Sequence, residues 1–214
     1  MMNELLQAIY VIILTLNLFA LGSGRILSVI RIIAVQGILL GFLPLLLHAQ
    51  FSFPIILSAV VTMLLKGVII PKIMIKALRD VQIKREVEPI IGILASTIVG
   101  AVGTAFIFLI FRRVNSAVQL EIVTLLPTAF ATILIGFILL TTRVKALSQV
   151  LGYLVLENGI YLFSMLLFEA IPLVVEMGML LDLFVSIFII SIITNHINRA
   201  FSSLDTRKLA TLKE

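Results

Sequence analysis

Residues 150–164 read VLGYLVLENGIYLFS and set one carboxylic acid, Glu157, halfway along an apolar stretch long enough to cross a bilayer. An acid or base at the bilayer centre costs about 3 kcal/mol on insertion-derived scales, so such a residue belongs in a protein interior and on a pathway rather than against lipid. The rest of the chain supplies that interior. Of its 214 residues 61% are hydrophobic and only 13% charged, where a soluble domain carries about 25%; the mean hydropathy is +1.25. Apolar runs of roughly 20 residues, the length a helix needs to span hydrocarbon, follow one another with little between them. The alternating pattern of a membrane β-barrel is absent. The expected fold class is all-α, a polytopic membrane protein.

Seven spans can be drawn, over about residues 4–22, 32–48, 53–76, 89–111, 118–141, 146–168 and 172–195, followed by a polar tail. The first run has no Lys or Arg before Arg25, carries Glu4 in its head and shows no small-residue cleavage site, so it reads as a retained helix rather than a signal peptide. Lys and Arg in short loops accumulate on the cytoplasmic side. If successive loops alternate sides, one side collects Arg25, Arg31, Lys72, Lys76, Arg79, Lys84, Arg85, Arg143, Lys145, Arg199, Arg207, Lys208 and Lys213, thirteen of the sixteen bases. The other side holds Arg112 and Arg113, and Lys66 lies within a span. This asymmetry predicts an outer N-terminus and a cytoplasmic C-terminus. It also accounts for the net charge of +5 without nucleic acid.

A faint internal repeat pairs AVQGI (34–38) with LENGI (156–160), and Phe53-Pro54 with Ile171-Pro172. It predicts an N-terminal three-helix unit (1–88), a connecting helix (89–117) and a C-terminal three-helix unit with its tail (118–214), the two units running parallel. In the connecting helix Gly92, Ser96, Gly100 and Thr104 recur every four residues, the spacing of a close helix-packing face.

Four ionisable side chains fall at or near hydrocarbon depth: Lys66, Glu157, Asp182 and, nearer the outer surface, Glu176. Glu157 is twelve residues from Lys145 and Asp182 ten from Pro172, about 18 and 15 Å of helix from opposite faces. Both acids therefore belong near the midplane, a geometry suited to lateral proton passage. Supporting polar stripes are Tyr153, Glu157 and Tyr161; Asp182 and Ser186; and Ser58, Thr62 and Lys66, each at four-residue steps. A lysine beside acids tunes their proton affinity, or forms a static buried ion pair. Pro44, Pro71 and Pro127 interrupt their spans and can kink them. Zero cysteines and two distant histidines, His48 and His196, offer no disulfide, iron–sulfur ligand or metal cluster, and no catalytic centre is visible.

The stretch VLGYLVLENGIYLFSMLL (150–167), followed by a short loop and a helix with a central acid, resembles the K-type membrane subunit of proton-pumping NADH:quinone oxidoreductase and the small C-type component of Mrp sodium/proton antiporters. Chain length together with AVQG (34–37) and LLKGVIIPK (64–72) resembles the hydrogenase-4 component E family, membrane subunits of complex-I-related group 4 [NiFe] hydrogenases and formate hydrogenlyases. That resemblance implies a relay in which Glu157 holds the first of two family glutamate positions. Asp182, one methylene shorter, would hold the second. Lys66 would be a charge modulator, and Val35 or Gln36 would stand where a first-unit acid is missing. It also implies that this chain carries no cofactor, with the NiFe centre and iron–sulfur clusters in partner subunits. The partners would be antiporter-like and anchoring membrane subunits and a soluble hydrogenase-type arm, in the cell's inner (cytoplasmic) membrane. Two other readings stand beside it: a stand-alone or Mrp-type antiporter subunit, and a structural anchor for a redox arm. A retinal photoreceptor would need its lysine in the last span, which has none.

Overall fold

The computed structural model describes residues 2–47, 53–80, 89–114 and 120–167. Helices carry these residues, apart from short links, because a backbone in hydrocarbon must satisfy its hydrogen bonds within its own segment. In order they are α1 (Met2–Gly22), α2 (Ile26–Leu47), α3 (Phe53–Leu64), a π-helical turn (Leu65–Ile69), α4 (Ile70–Asp80), α5 (Ile93–Val114), α6 (Leu120–Thr142) and α7 (Ala146–Leu167). Among the described residues six helical runs are long and apolar enough to cross a membrane, with α3, the π turn and α4 reading through as one. The protein is an all-α, multi-pass membrane protein. The seventh predicted span, the tail, and with them Asp182, Glu176 and Ser186, lie outside the described residues.

Three sequence expectations need correction. The second span begins at Ile26, six residues earlier than drawn, so Arg31 stands exposed in the second turn of α2 rather than in a loop. Gly92 lies ahead of α5 and not on its packing face: its φ of +79° is a left-handed conformation that turns the chain into the helix. Ser96 and Gly100 do form that face, with Ser96 buried and Gly100 against Leu21 of α1. The third span is not a uniform α-helix, because the N–H of Ile70 reaches back five residues to the carbonyl of Leu65. Pro71, which has no N–H to donate, follows directly.

The bases sort as expected for the described spans. Arg25, Arg143 and Lys145 lie in the links at one end of the bundle, together with Lys76 and Arg79 of α4, while Arg112 and Arg113 lie exposed in the last turn of α5 at the other.

Helices α6 and α7 pack most extensively, α2 packs on α3 and the π turn, and α5 sits at the side against α1 and α6. The core divides in two along the bundle. Toward the basic end, Leu21, Ile26, Ile30, Ile33, Met74, Ile135, Leu151 and Val155 form one apolar cluster. Toward the other end, Leu6, Tyr10, Ile13, Leu40, Leu43, Leu125 and Leu162 form a second. Each helix that contributes to both passes from one cluster to the other at a buried polar residue: Asn17 in α1, Gln36 in α2, Thr132 in α6, and Glu157 with Asn158 in α7.

Glycines set how closely these helices approach. A Cβ on Gly37 would lie 2.5 Å from the backbone carbonyl carbon of Lys66, and one on Gly159 would lie 2.6 Å from the backbone nitrogen of Ile133. Backbone cannot step aside as a side-chain tip can. Gly37→Ala is expected to destabilise the bundle by about 1–3 kcal/mol, the cost of overpacking. Gly22→Ala, whose Cβ would meet its nearest neighbour at an ordinary 3.7 Å, is the control and should melt with the wild type when followed by circular dichroism in detergent.

Candidate functional site: a polar layer at mid-depth

Glu157 is the twelfth residue of α7, Gln36 the eleventh of α2, and Lys66 lies at the middle of the α3–π–α4 run. At 1.5 Å per residue Glu157 and Gln36 are about 15–17 Å, and Lys66 about 20 Å, along a helix from an end, near the middle of the hydrocarbon. The structure brings together Glu157, the first predicted relay position, and Lys66, its predicted charge modulator. Lys66 Nζ stands 3.2 Å from Glu157 Oε1, with the lysine side chain 9% and the glutamate side chain 3% exposed.

Lys66 has further contacts. Its ammonium donates to Asn158 Oδ1 at 3.5 Å and lies 5.0 Å from the centroid of the Tyr161 ring, a cation–π contact. The Tyr161 hydroxyl in turn meets Thr62 Oγ1 at 3.3 Å. Of the predicted stripes, Thr62, Lys66, Glu157 and Tyr161 are thus buried and in mutual reach, while Ser58 and Tyr153 are only half-buried.

Beyond Asn158 the contacts continue as a chain of side-chain amides. Asn158 Nδ2 donates to Gln36 Oε1 at 3.4 Å. Gln36 Nε2 donates to Asn17 Oδ1 at 2.8 Å, with a longer contact of 3.5 Å to the carbonyl of Ile13. Asn17 Nδ2 donates to Thr132 Oγ1 at 2.8 Å, and the Thr132 hydroxyl closes the chain on the carbonyl of Thr128 at 2.8 Å. Asn17 and Gln36 are fully buried. Every donor points the same way, from the ammonium of Lys66 outward, so each amide fixes the orientation of the next.

Sequence reasoning had Gln36 as a supporting residue and missed Asn17, Asn158 and Thr132. The available signal was an amide or hydroxyl inside an apolar span, which carries a desolvation cost like that of an ionisable group on a smaller scale. Attention to charge alone passes over it.

Chemically, the layer has two parts. The Lys66–Glu157 pair holds a carboxylate that can take up a proton and a cation that responds to its charge. Carboxamides accept and donate hydrogen bonds without a readily available second protonation state, so the Asn158–Gln36–Asn17 chain holds geometry rather than passing protons. Among the described residues no group of His, Cys, Asp and Glu is arranged to hold a metal ion.

Comparison with known proteins finds relatives by sequence. The chain is 30% identical over 189 residues to the uncharacterized protein Rv0085 of Mycobacterium tuberculosis, covering 87% of this chain and 86% of that protein. It is also 30% identical over 113 residues to hydrogenase-4 component E of Escherichia coli K12 and of Shigella flexneri. That match covers 51% of this chain and 52% of the relative, so the chain spans about half the length of hydrogenase-4 component E. No family model matches, and no solved structure matches at a significant level.

Breaking a buried pair strands a charge, whereas replacing both partners with apolar groups of similar volume does not. Lys66→Met alone is expected to destabilise the protein by about 3–5 kcal/mol. The double variant Lys66→Met with Glu157→Leu should recover most of that loss in detergent melts. Additive losses would show that the two side chains are not energetically coupled.

Proposed function

We propose that this chain, which belongs to the family of the Mycobacterium tuberculosis protein Rv0085, is an integral membrane subunit of a complex-I-like respiratory assembly of the hydrogenase type, where its polar layer forms part of a lateral proton path. The observation that carries this reading is the mid-depth Lys66–Glu157 pair, a protonatable carboxylate facing a cation inside an otherwise apolar bundle. The half-length similarity to hydrogenase-4 component E supplies the class of assembly.

In this reading Glu157 is the relay group. A proton arriving on its carboxylate neutralises the partner of Lys66, and the ammonium then seeks the next acceptor, which redistributes charge within the layer. Departure of the proton restores the pair. Asp182, in the following predicted span, is the proposed next carrier, with Tyr153, Ser186 and Glu176 beside the path. Carrying one charge through 100 mV costs about 2.3 kcal/mol, so the movement is coupled to redox chemistry in partner subunits, which hold the NiFe centre and iron–sulfur clusters. The two three-helix units, 1–88 and 118–214, are proposed to be parallel copies joined by the helix of 89–117. The N-terminus is proposed to be outside and the C-terminus cytoplasmic.

Glu157→Gln keeps the shape and hydrogen-bonding reach of the side chain but removes the proton site. It is expected to leave the subunit assembled with its co-purifying partners while abolishing acidification by inverted membrane vesicles, read with a pH-sensitive dye. Undiminished pumping by Glu157→Gln would rule out the relay role. Recovery of the chain without iron–sulfur partners would rule out the assembly.

A further inference from the structure

A single helix builds the surroundings of the ammonium at mid-depth. Three groups face Lys66 Nζ: Glu157 Oε1 at 3.2 Å, Asn158 Oδ1 at 3.5 Å and the Tyr161 ring, its centroid at 5.0 Å. All three residues are buried, and all belong to α7. Lys66 reaches them from the π turn of another run, so α7 supplies the ligands and the lysine supplies only the occupant.

Two of these ligands are held from behind. Asn158 spends its Nδ2 on Gln36 Oε1, which leaves Oδ1 turned to the ammonium, and Gln36 is fixed in turn by Asn17. The Tyr161 ring is pinned through its hydroxyl, 3.3 Å from Thr62 Oγ1. The amide row therefore orients an acceptor toward a positive charge. Carboxylate and carboxamide oxygens are ligands for hard cations, and an aromatic face attracts a monovalent one. Such a set holds an ammonium without requiring that it be tethered to this chain.

We propose that Glu157, Asn158 and the Tyr161 ring form a seat for a monovalent cation, and that Lys66, by filling it with its own ammonium, restricts the layer to protons. The inference rests on the reading of Glu157 as a relay group and states which ion that relay admits. A proton needs one lone pair of the carboxylate and is taken up while the ammonium stays within the layer. A sodium ion needs several oxygens at once, and the ammonium already holds those of Glu157 and Asn158. Lys66 is then a specificity-determining residue rather than a carrier.

Lys66→Ala removes a group with the shape of n-propylammonium and leaves α7 untouched. In the full-length variant purified in mild detergent, about 100 mM propylammonium chloride is expected to raise the circular-dichroism midpoint by about 5 °C over choline chloride at equal ionic strength, and sodium chloride by about half as much. Wild type, with its seat filled, should respond to neither salt. Adding Glu157→Gln to Lys66→Ala should abolish the response. Recovery of Lys66→Ala from membranes only in propylammonium would be the same result in stronger form. The same midpoint, or the same failure to recover, in all three salts would overturn the seat. Equal stabilisation by neutral propanol would reduce the effect to cavity filling and overturn it as well. These readouts need neither partner subunits nor pumping, so they fail separately from the relay. The restriction to protons is read in inverted membrane vesicles, where wild type should acidify equally in sodium and choline; uptake of radioactive sodium by wild type would overturn it.

Discussion

The bundle depends on a buried cation facing a buried anion. Lys66 and Glu157 are carried by helices far apart in sequence, and each offsets part of the cost of burying the other at mid-depth. Their pairing fixes where the π turn stands relative to α7, and the surrounding packing follows. Gly37 lets α2 lie directly on the backbone of Lys66, and Gly159 does the same for α7 against α6. The apolar side chains fill what remains, in two clusters that the polar layer separates. In lipid the hydrophobic effect gives helices little reason to prefer one another, so close packing and polar contacts specify the arrangement.

That specification has a functional side. A bundle held only by leucine and isoleucine could slide or rotate at modest cost, but one that must keep a charge pair and four amide or hydroxyl contacts in register has few alternatives. Similarity to hydrogenase-4 component E spans about half of each chain, and the relay proposed above rests on this same buried pair. The same residues give the helices a single registration, so specificity of fold and availability of a protonatable group are not separate properties here.

Much of this was legible in the sequence, and the reasons differ by feature. Span type, and the places of the six spans among the described residues, followed from length and hydropathy, because the bilayer sets both. Glu157 and Lys66 announced themselves as charges in apolar runs. Their meeting could not be read, since it depends on which faces α7 and the π turn present to each other. The π turn itself was concealed: Pro71 signals a missing donor, yet does not say whether the helix kinks or widens. Asn17 and Asn158 were overlooked for a simpler reason. Each is uncharged, and a hydropathy window averages one amide away among leucines. The early start of α2 was hidden by Arg31, whose long side chain stays exposed while its backbone continues the helix.

The amide chain gives the layer a sense of direction. From Lys66 through Asn158, Gln36 and Asn17 to Thr132, all donors face away from the ammonium, so their dipoles add rather than cancel. No single amide can turn over alone, because it would set donor against donor on one side and acceptor against acceptor on the other. Reversal is therefore all or none across three helices. A bundle with that property remembers the sign of the charge at its centre: loss or displacement of the Lys66 cation removes what orients the row at that end, and helix α1 feels the change through Asn17.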